Sequence, residues 1–393
     1  MLCVFFLRRS SRSSMPNLVR IQLWRLPLDF FELPNDEARS CAVESVTIPA
    51  IPGPRSLPPM TAWEESLCML YCMLLGTPLI LLLLVPGCIA FGCFRGLVLV
   101  LGIVAMLYLQ PLPRHLKYRR SRLAILLCRY FAMEFLFDRD DGPIAACAGT
   151  RGALKQDVPD GAVIASDGIS RLHLACPHGV MNYGAVIFTS LSRWLVGVDQ
   201  LTAVAGAVSS TPGLRQFAAP LWAVSASRAS LSSRLTRGET IGLIPDGING
   251  IFAGAEAGTA GRELLVLGRK RGLVRLALQS GAVCMPAYFI GTLQLFTICQ
   301  DRFGVLRALS GRFRLSLFFF YGRFGLPIPR RHPLSAVIAF VPPPGGAGAK
   351  VSEPTDAQLE AHHEAVYSAG LVSAFHKLKQ SAGLSQDCHL VIS

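Results

Sequence analysis

Charged residues are scarce in this sequence: Asp, Glu, Lys and Arg make up 16% of its 393 residues, against about 25% in ordinary soluble domains. Hydrophobic residues reach 51%, and the mean hydropathy is +0.44. This composition excludes intrinsic disorder and argues against a plain soluble enzyme. Only one region is apolar enough to cross a bilayer, which excludes a polytopic transporter. The sequence therefore predicts a globular protein that is anchored to a membrane.

Cysteine motifs and internal repeats are also missing. The twelve cysteines form no CxxC pair, so we expect neither a disulfide framework nor a zinc site, and a reducing, cytosol-facing location. The net charge is +13 and the pI about 9.4, which favours anionic partners such as phosphates, lipid headgroups or nucleic acid. Because zinc-finger spacing, RNA-binding aromatic signatures and a continuous basic helix are all lacking, we expect no nucleic-acid partner.

The uncharged region is long enough for two helices. Charge is absent from residues 66–94 and again from residues 96–113. Since a span needs about 20 apolar residues, the pattern predicts a two-helix transmembrane hairpin with spans over Leu67–Val85 and Cys88–Leu109. Its turn is expected at Pro86-Gly87. A buried helical hairpin inside a globular domain is the alternative.

Charges on either side of the predicted hairpin indicate its orientation. Glu64 and Glu65 precede it, whereas five cations follow it, namely Arg114, Lys117, Arg119, Arg120 and Arg122. The positive-inside rule then places both termini in the cytosol. We expect a basic tail and Pro-rich linker over residues 1–60, the hairpin over 66–110 and a large α/β domain over 111–393.

The first 28 residues contain five arginines and no acidic residue. This composition is typical of an organellar transit peptide. A basic cytosolic tail, or a true start at Met15, explains it as well.

Beyond about Arg120, short β-rich runs alternate with segments of helical periodicity. The strand-like runs are 162–165, 172–176, 202–205, 241–244, 283–289, 315–321 and 336–341, and the helical segments are 229–236, 273–279 and 357–379. Such alternation predicts an α/β fold with a mostly parallel sheet.

His178 follows the strand-like run 172–176 and precedes a predicted helix. The carboxyl end of a strand is the usual position of active sites in open α/β sheets, and a neutral imidazole there can take a proton from a hydroxyl. Pro177 fixes the approach of the chain, and Gly179 lets the backbone come close to a ligand. The alternative is that His178 only caps the turn. His173, inside the strand, is expected to be a packed core histidine.

A second strand-to-turn segment runs from Gly238 to Gly250. Asp246 and Asn249 follow its strand, where they could orient His178 or bind a substrate oxygen. Ordinary Asp-Gly turn chemistry explains them equally well.

Three cations, Arg269, Lys270 and Arg271, precede a predicted helix that begins near Gly272 and contains Arg275. Positive charge at a helix N-terminus costs about 0.3–1 kcal/mol per residue. A bound phosphate would cancel that cost and use the free N–H groups. The block therefore predicts an anion site, with a solvated basic loop as the alternative.

Two further segments carry less information. Gly322–Arg331, which includes Arg323, indicates only a basic surface turn. His362 and His363 point in different directions on the last predicted helix, so no metal site is expected.

Taken in order, these segments resemble the type-2 diacylglycerol acyltransferase family, which includes monoacylglycerol and wax-ester acyltransferases. The matching pieces are the hydrophobic hairpin, CPHG at Cys176–Gly179, PDGI at Pro245–Ile248, RKRGLVRLAL at Arg269–Leu278, YFIGTLQLF at Tyr288–Phe296 and GRFGLPIPRR at Gly322–Arg331. Together they extend over about residues 67–340.

The resemblance implies an acyltransferase of the endoplasmic-reticulum membrane or of lipid droplets. Such an enzyme esterifies diacylglycerol to triacylglycerol with acyl-CoA, and needs no metal or redox cofactor. His178 matches the second histidine of the family's HPHG motif and takes the role of general base. Monoacylglycerol or wax-ester synthesis, a non-catalytic lipid-binding role and assembly into a homo-oligomer stay open. The candidate substrate-binding residues are Pro177, Gly179, Asn249, Arg269, Lys270, Arg271, Gly272, Arg275 and Arg323.

The sequence departs from the family pattern around the catalytic motif. Cys176 replaces the first histidine of HPHG, and Gly250 and Thr292 stand where the family often has glutamates. Tyr183 occupies the position of the aspartate that other glycerolipid acyltransferases keep. A different group must therefore orient His178, and Asp246 and Glu239 are the candidates.

Overall fold

The protein is described by a computed structural model. The described residues are 18–30, 56–109, 121–138, 168–247, 249–252, 263–265, 271–299, 301, 303–313 and 317–392. Residues 1–17, which form most of the predicted transit peptide, lie outside this set.

Strands recur through the whole described chain, and the first lies in the region predicted as a basic tail. They are β1 (Leu18–Gln22), β2 (Glu134–Asp138), β3 (Arg171–Cys176), β4 (Gln200–Val204), β5 (Ala223–Ser225), β6 (Thr240–Leu243), β7 (Glu263–Leu265), β8 (Val283–Ile290), β9 (Thr297–Ile298), β10 (Phe320–Tyr321), β11 (Ser335–Ile338) and β12 (Leu390–Ile392).

Eight of these strands form one sheet in the order β1-β2-β11-β8-β3-β6-β4-β5. The strands β8, β3, β6, β4 and β5 run parallel, β11 is antiparallel to β8 and parallel to β2, and β1 is antiparallel to β2. Two small sheets pair β9 with β10 and β7 with β12. The predicted α/β fold with a mostly parallel sheet is confirmed.

Helices cover both faces of the sheet. They are α1 (Ala62–Ala90), α2 (Phe94–Leu109), α3 (Arg122–Tyr130), α4 (Tyr183–Val196), α5 (Gly206–Ser210), α6 (Leu214–Ala218), α7 (Arg228–Thr236), α8 (Gly272–Ser280), α9 (Val305–Phe313), α10 (Asp356–Glu364) and α11 (Ser373–Leu378). A π-helical segment, Ala365–Val372, joins α10 to α11.

Alternation along β8 shows how the core is built. Met285 and Phe289 pack in one apolar layer with residues of α3 and α4. Cys284 and Tyr288 face the other layer, together with residues of α8, α10 and α11. A central parallel strand is apolar on both faces because helices cover both, which is why β8 reads as a nearly continuous hydrophobic run.

The predicted transmembrane hairpin is wrong. Two consecutive helices do form, but within the described ranges none is both long and apolar enough to span a bilayer. The sixteen residues of α2 extend only about 24 Å at 1.5 Å per residue, less than the hydrocarbon thickness of about 30 Å. The turn lies at Phe91–Cys93, and Pro86-Gly87 falls inside α1.

The beginning of α1 packs against the α/β domain. Cys68 and Cys72 are fully buried in the layer that contains α3, and Glu64 forms an ion pair with Arg129 of α3 at 3.5 Å. Part of the apolar sequence assigned to the first span is therefore core of the domain.

Candidate active site

The candidate site lies at the carboxyl edge of the central sheet. Because β3, β6 and β8 are parallel neighbours, the segments that follow their last residues meet at the same edge. These segments begin at Pro177, Ile244 and Gly291. The structure thus brings together three of the motifs found in the sequence.

His178 is partly buried. Hydrogen bonds hold both its backbone N–H and its imidazole ring. Its backbone N–H donates to Asp246 Oδ2 at 2.9 Å. Its ring Nδ1 lies 2.9 Å from the carbonyl oxygen of Gly179. Since a carbonyl only accepts, Nδ1 must carry the proton, and the neutral ring keeps its lone pair on Nε2. The imidazole is therefore in the tautomer that can accept a proton at Nε2.

Asp246 is almost completely buried, with 1% of its surface exposed. Burial raises the pKa of Asp246, while the nearby His178 ring and backbone hydrogen bonds act to lower it. Its Oδ1 has no hydrogen-bond partner among the residues that the structure describes. The predicted contact between Asp246 and His178 exists, but the carboxylate holds the backbone of His178.

Gly250 lets Asp246 occupy this position. A Cβ atom at residue 250 would lie 2.2 Å from Asp246 Oδ2, so any larger residue would displace the carboxylate. Asn249, the neighbouring candidate from the sequence, is exposed.

Asn182 holds the other end of the histidine turn, and sequence analysis missed it. Its Nδ2 donates to the carbonyl of Pro177 at 2.9 Å, and its Oδ1 accepts from the backbone N–H of Ala185 at 2.8 Å. The second bond is the N-cap of α4, and asparagine is a preferred residue there. The sequence predicted this helix over Val180–Leu191, which placed Asn182 inside it; the preference of asparagine for the N-cap position was the available signal.

Gly179 connects the histidine turn to the turn after β8. It has a positive φ of +55°, and a Cβ atom there would lie 3.0 Å from the Thr292 side-chain methyl carbon. Thr292 is buried and begins a short helical turn, Thr292–Gln294. Gly179, whose carbonyl accepts the hydrogen bond from His178 Nδ1, is therefore packed against this turn.

Glu239, the second candidate for orienting His178, lies at the opposite edge of the sheet. It precedes β6 and pairs with Arg234 and Arg237, each at 2.9 Å. At about 3.3 Å per residue, the length of β3 places the two edges about 16 Å apart. The structure does not bring Glu239 and His178 together.

Two other reactive side chains near the motif are inert. Cys176 is fully buried, and burial raises the pKa of its thiol well above the usual value, so this cysteine is not a thiolate nucleophile. His173 is also fully buried, with Nδ1 3.0 Å from Gln200 Oε1. Burial lowers the pKa of His173 to about 4, which agrees with a packed core histidine.

Comparison with known proteins decides the family. A family model described as diacylglycerol acyltransferase matches residues 172–393, more than half of the chain. The chain belongs to the diacylglycerol acyltransferase family. This confirms the resemblance seen in the motifs and makes the protein an acyltransferase.

Curated relatives of this diacylglycerol acyltransferase family member carry two kinds of name. Acyl-CoA wax alcohol acyltransferase 2 of Mus musculus is 28% identical over 239 residues, covering 56% of this chain and 69% of the relative. Diacylglycerol O-acyltransferase 2-like protein 6 of Mus musculus is 26% identical over 245 residues, with the same shares. The solved 1-acyl-sn-glycerophosphate (LPA) acyltransferase PlsC of Thermotoga maritima shares 16% identity, covers 79% of this chain and 97% of that chain, and has a TM-score of 0.31. That score is too low to support a conclusion about the fold.

The basic block that resembles the family pattern is only partly described. Arg269 and Lys270 lie outside the described residues. Arg271 directly precedes α8 and forms an ion pair with Glu360 of α10. Gly272 is exposed at the start of the helix, and Arg275 is partly buried one turn later. The start of α8 therefore presents a cation that already has a carboxylate partner.

Arg323, the remaining candidate for substrate binding, also has a carboxylate partner in this family member. It forms an ion pair with Glu65 of α1, which additionally lies 4.0 Å from Arg331. Its guanidinium lies 4.9 Å from the ring centre of Phe324. This geometry joins α1 to the domain.

Proposed function

We propose that the protein is an acyl-CoA-dependent O-acyltransferase that esterifies diacylglycerol to triacylglycerol, with His178 as the general base. The observation that carries the proposal is the His178 tautomer, because its Nδ1 bond to the Gly179 carbonyl leaves Nε2 free as an acceptor. The proposed location is the endoplasmic reticulum or its lipid droplets, where diacylglycerol is held. The proposal requires no metal or redox cofactor.

The proposed reaction has two steps. Nε2 of His178 takes the proton of the acceptor hydroxyl while the hydroxyl oxygen attacks the thioester carbonyl carbon. The tetrahedral intermediate then expels coenzyme A as the C–S bond breaks, and the imidazolium returns its proton to the leaving sulfur. The nearby Asp246 carboxylate favours the transient positive charge on His178.

A long-chain alcohol is the second candidate acceptor. Support comes from the relatives, since one of them is named for wax alcohol. Either acceptor presents a hydroxyl to the same base, so the chemistry at His178 is common to both. The two candidates differ only in how the rest of the acceptor is bound.

An acceptor panel tests the proposal. Microsomes from a host that lacks triacylglycerol synthesis, with and without the expressed chain, receive labelled acyl-CoA and one acceptor at a time: diacylglycerol, monoacylglycerol, fatty alcohol or sterol. We expect label in triacylglycerol, and fractionation of the same cells tests the location. A wax ester or diacylglycerol product would reassign the acceptor. Absence of product with every acceptor would overturn the enzymatic proposal in favour of a lipid-binding protein.

We also propose that the basic block at the start of α8 binds the phosphates of coenzyme A. Arg271→Gln is expected to raise the KM for acyl-CoA about tenfold, because a charge-assisted contact contributes about 1.5–3 kcal/mol. Glu360→Gln should lower that KM, since it removes the carboxylate that competes for Arg271. The KM for the acceptor should stay unchanged in both variants.

Arg237→Gln is the matched control for this prediction, because Arg237 is also an exposed, ion-paired arginine but lies at the opposite edge of the sheet. It should leave both KM values as in the parent. If Arg271→Gln loses thermal stability and keeps its KM for acyl-CoA, the Arg271–Glu360 pair is structural and the phosphate site lies elsewhere.

A further inference from the structure

A buried carboxyl group outside the motifs lies close to the candidate site. Glu263 on β7 has 6% of its surface exposed, and the Tyr288 hydroxyl donates to its Oε2 at 2.6 Å. The backbone N–H of Glu263 donates to the carbonyl of His389 at 3.2 Å, next to the pairing of β7 with β12. The backbone of Glu263 is thus held by strand pairing, and its carboxyl group by the Tyr288 hydroxyl.

Tyr288 connects this carboxyl group to the end of β3, where the histidine turn begins. In the sheet register Tyr288 on β8 lies opposite Cys176 on β3, two residues before His178, and both side chains belong to the same apolar layer. Burial raises the pKa of Tyr288 well above its usual value, and the nearby carboxylates of Glu263 and Asp246 raise it further. Tyr288 therefore connects the Glu263 carboxyl group to the strand that ends at the histidine turn.

The strand β8 leads from Tyr288 to the turn that supports Gly179, because it ends at Ile290 and the turn follows two residues later. Burial raises the pKa of Glu263, while the hydrogen bond from the Tyr288 hydroxyl acts to lower it. Gln294 ends the turn Thr292–Gln294. Thr292 of that turn packs against Gly179, whose carbonyl accepts a hydrogen bond from His178 Nδ1.

We propose that Glu263 is a positioning residue for His178. Through Tyr288 and the turn Thr292–Gln294 it fixes the backbone around Gly179, and so maintains the bond that leaves Nε2 free. Burying a carboxyl group costs more than burying an apolar side chain of similar volume. A role in holding the turn accounts for an acid at this place. The inference rests on the role proposed for His178.

Three substitutions separate positioning from general stability. Glu263→Ala removes the acceptor of the Tyr288 hydroxyl. Glu263→Gln keeps an amide oxygen that can accept from Tyr288. Asp199→Asn is the control, because Asp199 is equally buried and paired with Arg193 at 3.8 Å but precedes β4 at the opposite edge.

Glu263→Ala is expected to lower kcat about tenfold and to change the KM for acyl-CoA less than twofold, with rates corrected for the folded fraction. Glu263→Gln should stay within threefold of the parental kcat. Asp199→Asn should keep the parental kcat per folded molecule even where it lowers the unfolding temperature. Parental kcat in folded Glu263→Ala, or an equal fall in Asp199→Asn, would overturn the inference.

A second readout does not depend on activity. Diethyl pyrocarbonate modifies accessible imidazole nitrogens, and peptide mass spectrometry measures the rate at His178 in the folded full-length chain. Glu263→Ala should change this rate at least threefold, and Asp199→Asn should not. An unchanged modification rate in Glu263→Ala would overturn the inference, whatever the acceptor assays show. If the parent is inactive with every acceptor but Glu263→Ala still changes the modification rate of His178, only the proposed function is contradicted.

Discussion

Replacing His178 with alanine is expected to lower kcat by about 10²- to 10⁴-fold, the usual contribution of a positioned general base. The loss follows because Nε2 is the nitrogen left free to accept a proton at the site, given the Nδ1 bond to Gly179. Asp246 would still hold the turn, since its bond goes to the backbone N–H of residue 178. The measurement is label transfer at saturating substrates together with thermal unfolding, which should remain as in the parent.

His376→Ala serves as the matched control, because His376 is another partly buried histidine and lies on α11. It should keep kcat within about twofold. Full activity in a folded His178→Ala protein would exclude His178 as the base. Unfolding of His178→Ala but not of His376→Ala would instead give the ring a packing role.

The main features of the site could be predicted from the sequence because they depend on strand ends. His178 and Asp246 each follow a β-rich run, and neighbouring parallel strands must end at one edge. Glu239 precedes a strand, so the same rule places it at the opposite edge. Applying strand direction to all three residues would have removed Glu239 from the candidates.

The transmembrane prediction was wrong because hydropathy shows only that a side chain avoids water. It does not show whether lipid or protein surrounds that side chain. Cys68 and Cys72 look like membrane residues in the sequence, yet they pack against α3. The Pro86-Gly87 pair, which favours a turn, lies inside α1 instead.

Glu263 could not be found from the sequence for a different reason. Its strand, β7, has only three residues and pairs with the C-terminal strand β12. Three residues are too few to show the alternation of apolar and polar side chains, bounded by turn residues, that indicates a strand. The partner of Glu263, Tyr288, lies in a strand that was predicted, but its hydroxyl bond depends on a contact between residues 25 positions apart.

Substitutions of Asp246 are expected to have the second largest effect. Asp246→Ala leaves the His178 backbone N–H without its acceptor, and an unsatisfied buried donor costs about 1–3 kcal/mol. If that cost is relieved by movement of the turn, Nε2 leaves its reactive position, and kcat should fall about 10- to 100-fold. Asp246→Asn keeps a side-chain oxygen that can accept from the same N–H, so it should retain more of the parental kcat.

The pH dependence of stability distinguishes holding the backbone from supplying charge. Because burial raises the pKa of Asp246, the protonated carboxyl is favoured more in the folded state than in the unfolded state. The stability that this preference contributes is lost as pH rises from the unfolded-state pKa through the raised pKa. Asp246→Asn lacks this titration, so its free energy of unfolding relative to the parent should increase in urea titrations as pH rises above about 4, the ordinary pKa of aspartate. If Asp246→Asn shows that increase yet loses as much kcat as Asp246→Ala, then the negative charge beside the imidazolium matters for the reaction. If it keeps most of the parental kcat, the bond from the His178 N–H is the function of Asp246, and catalysis depends on where the backbone is held.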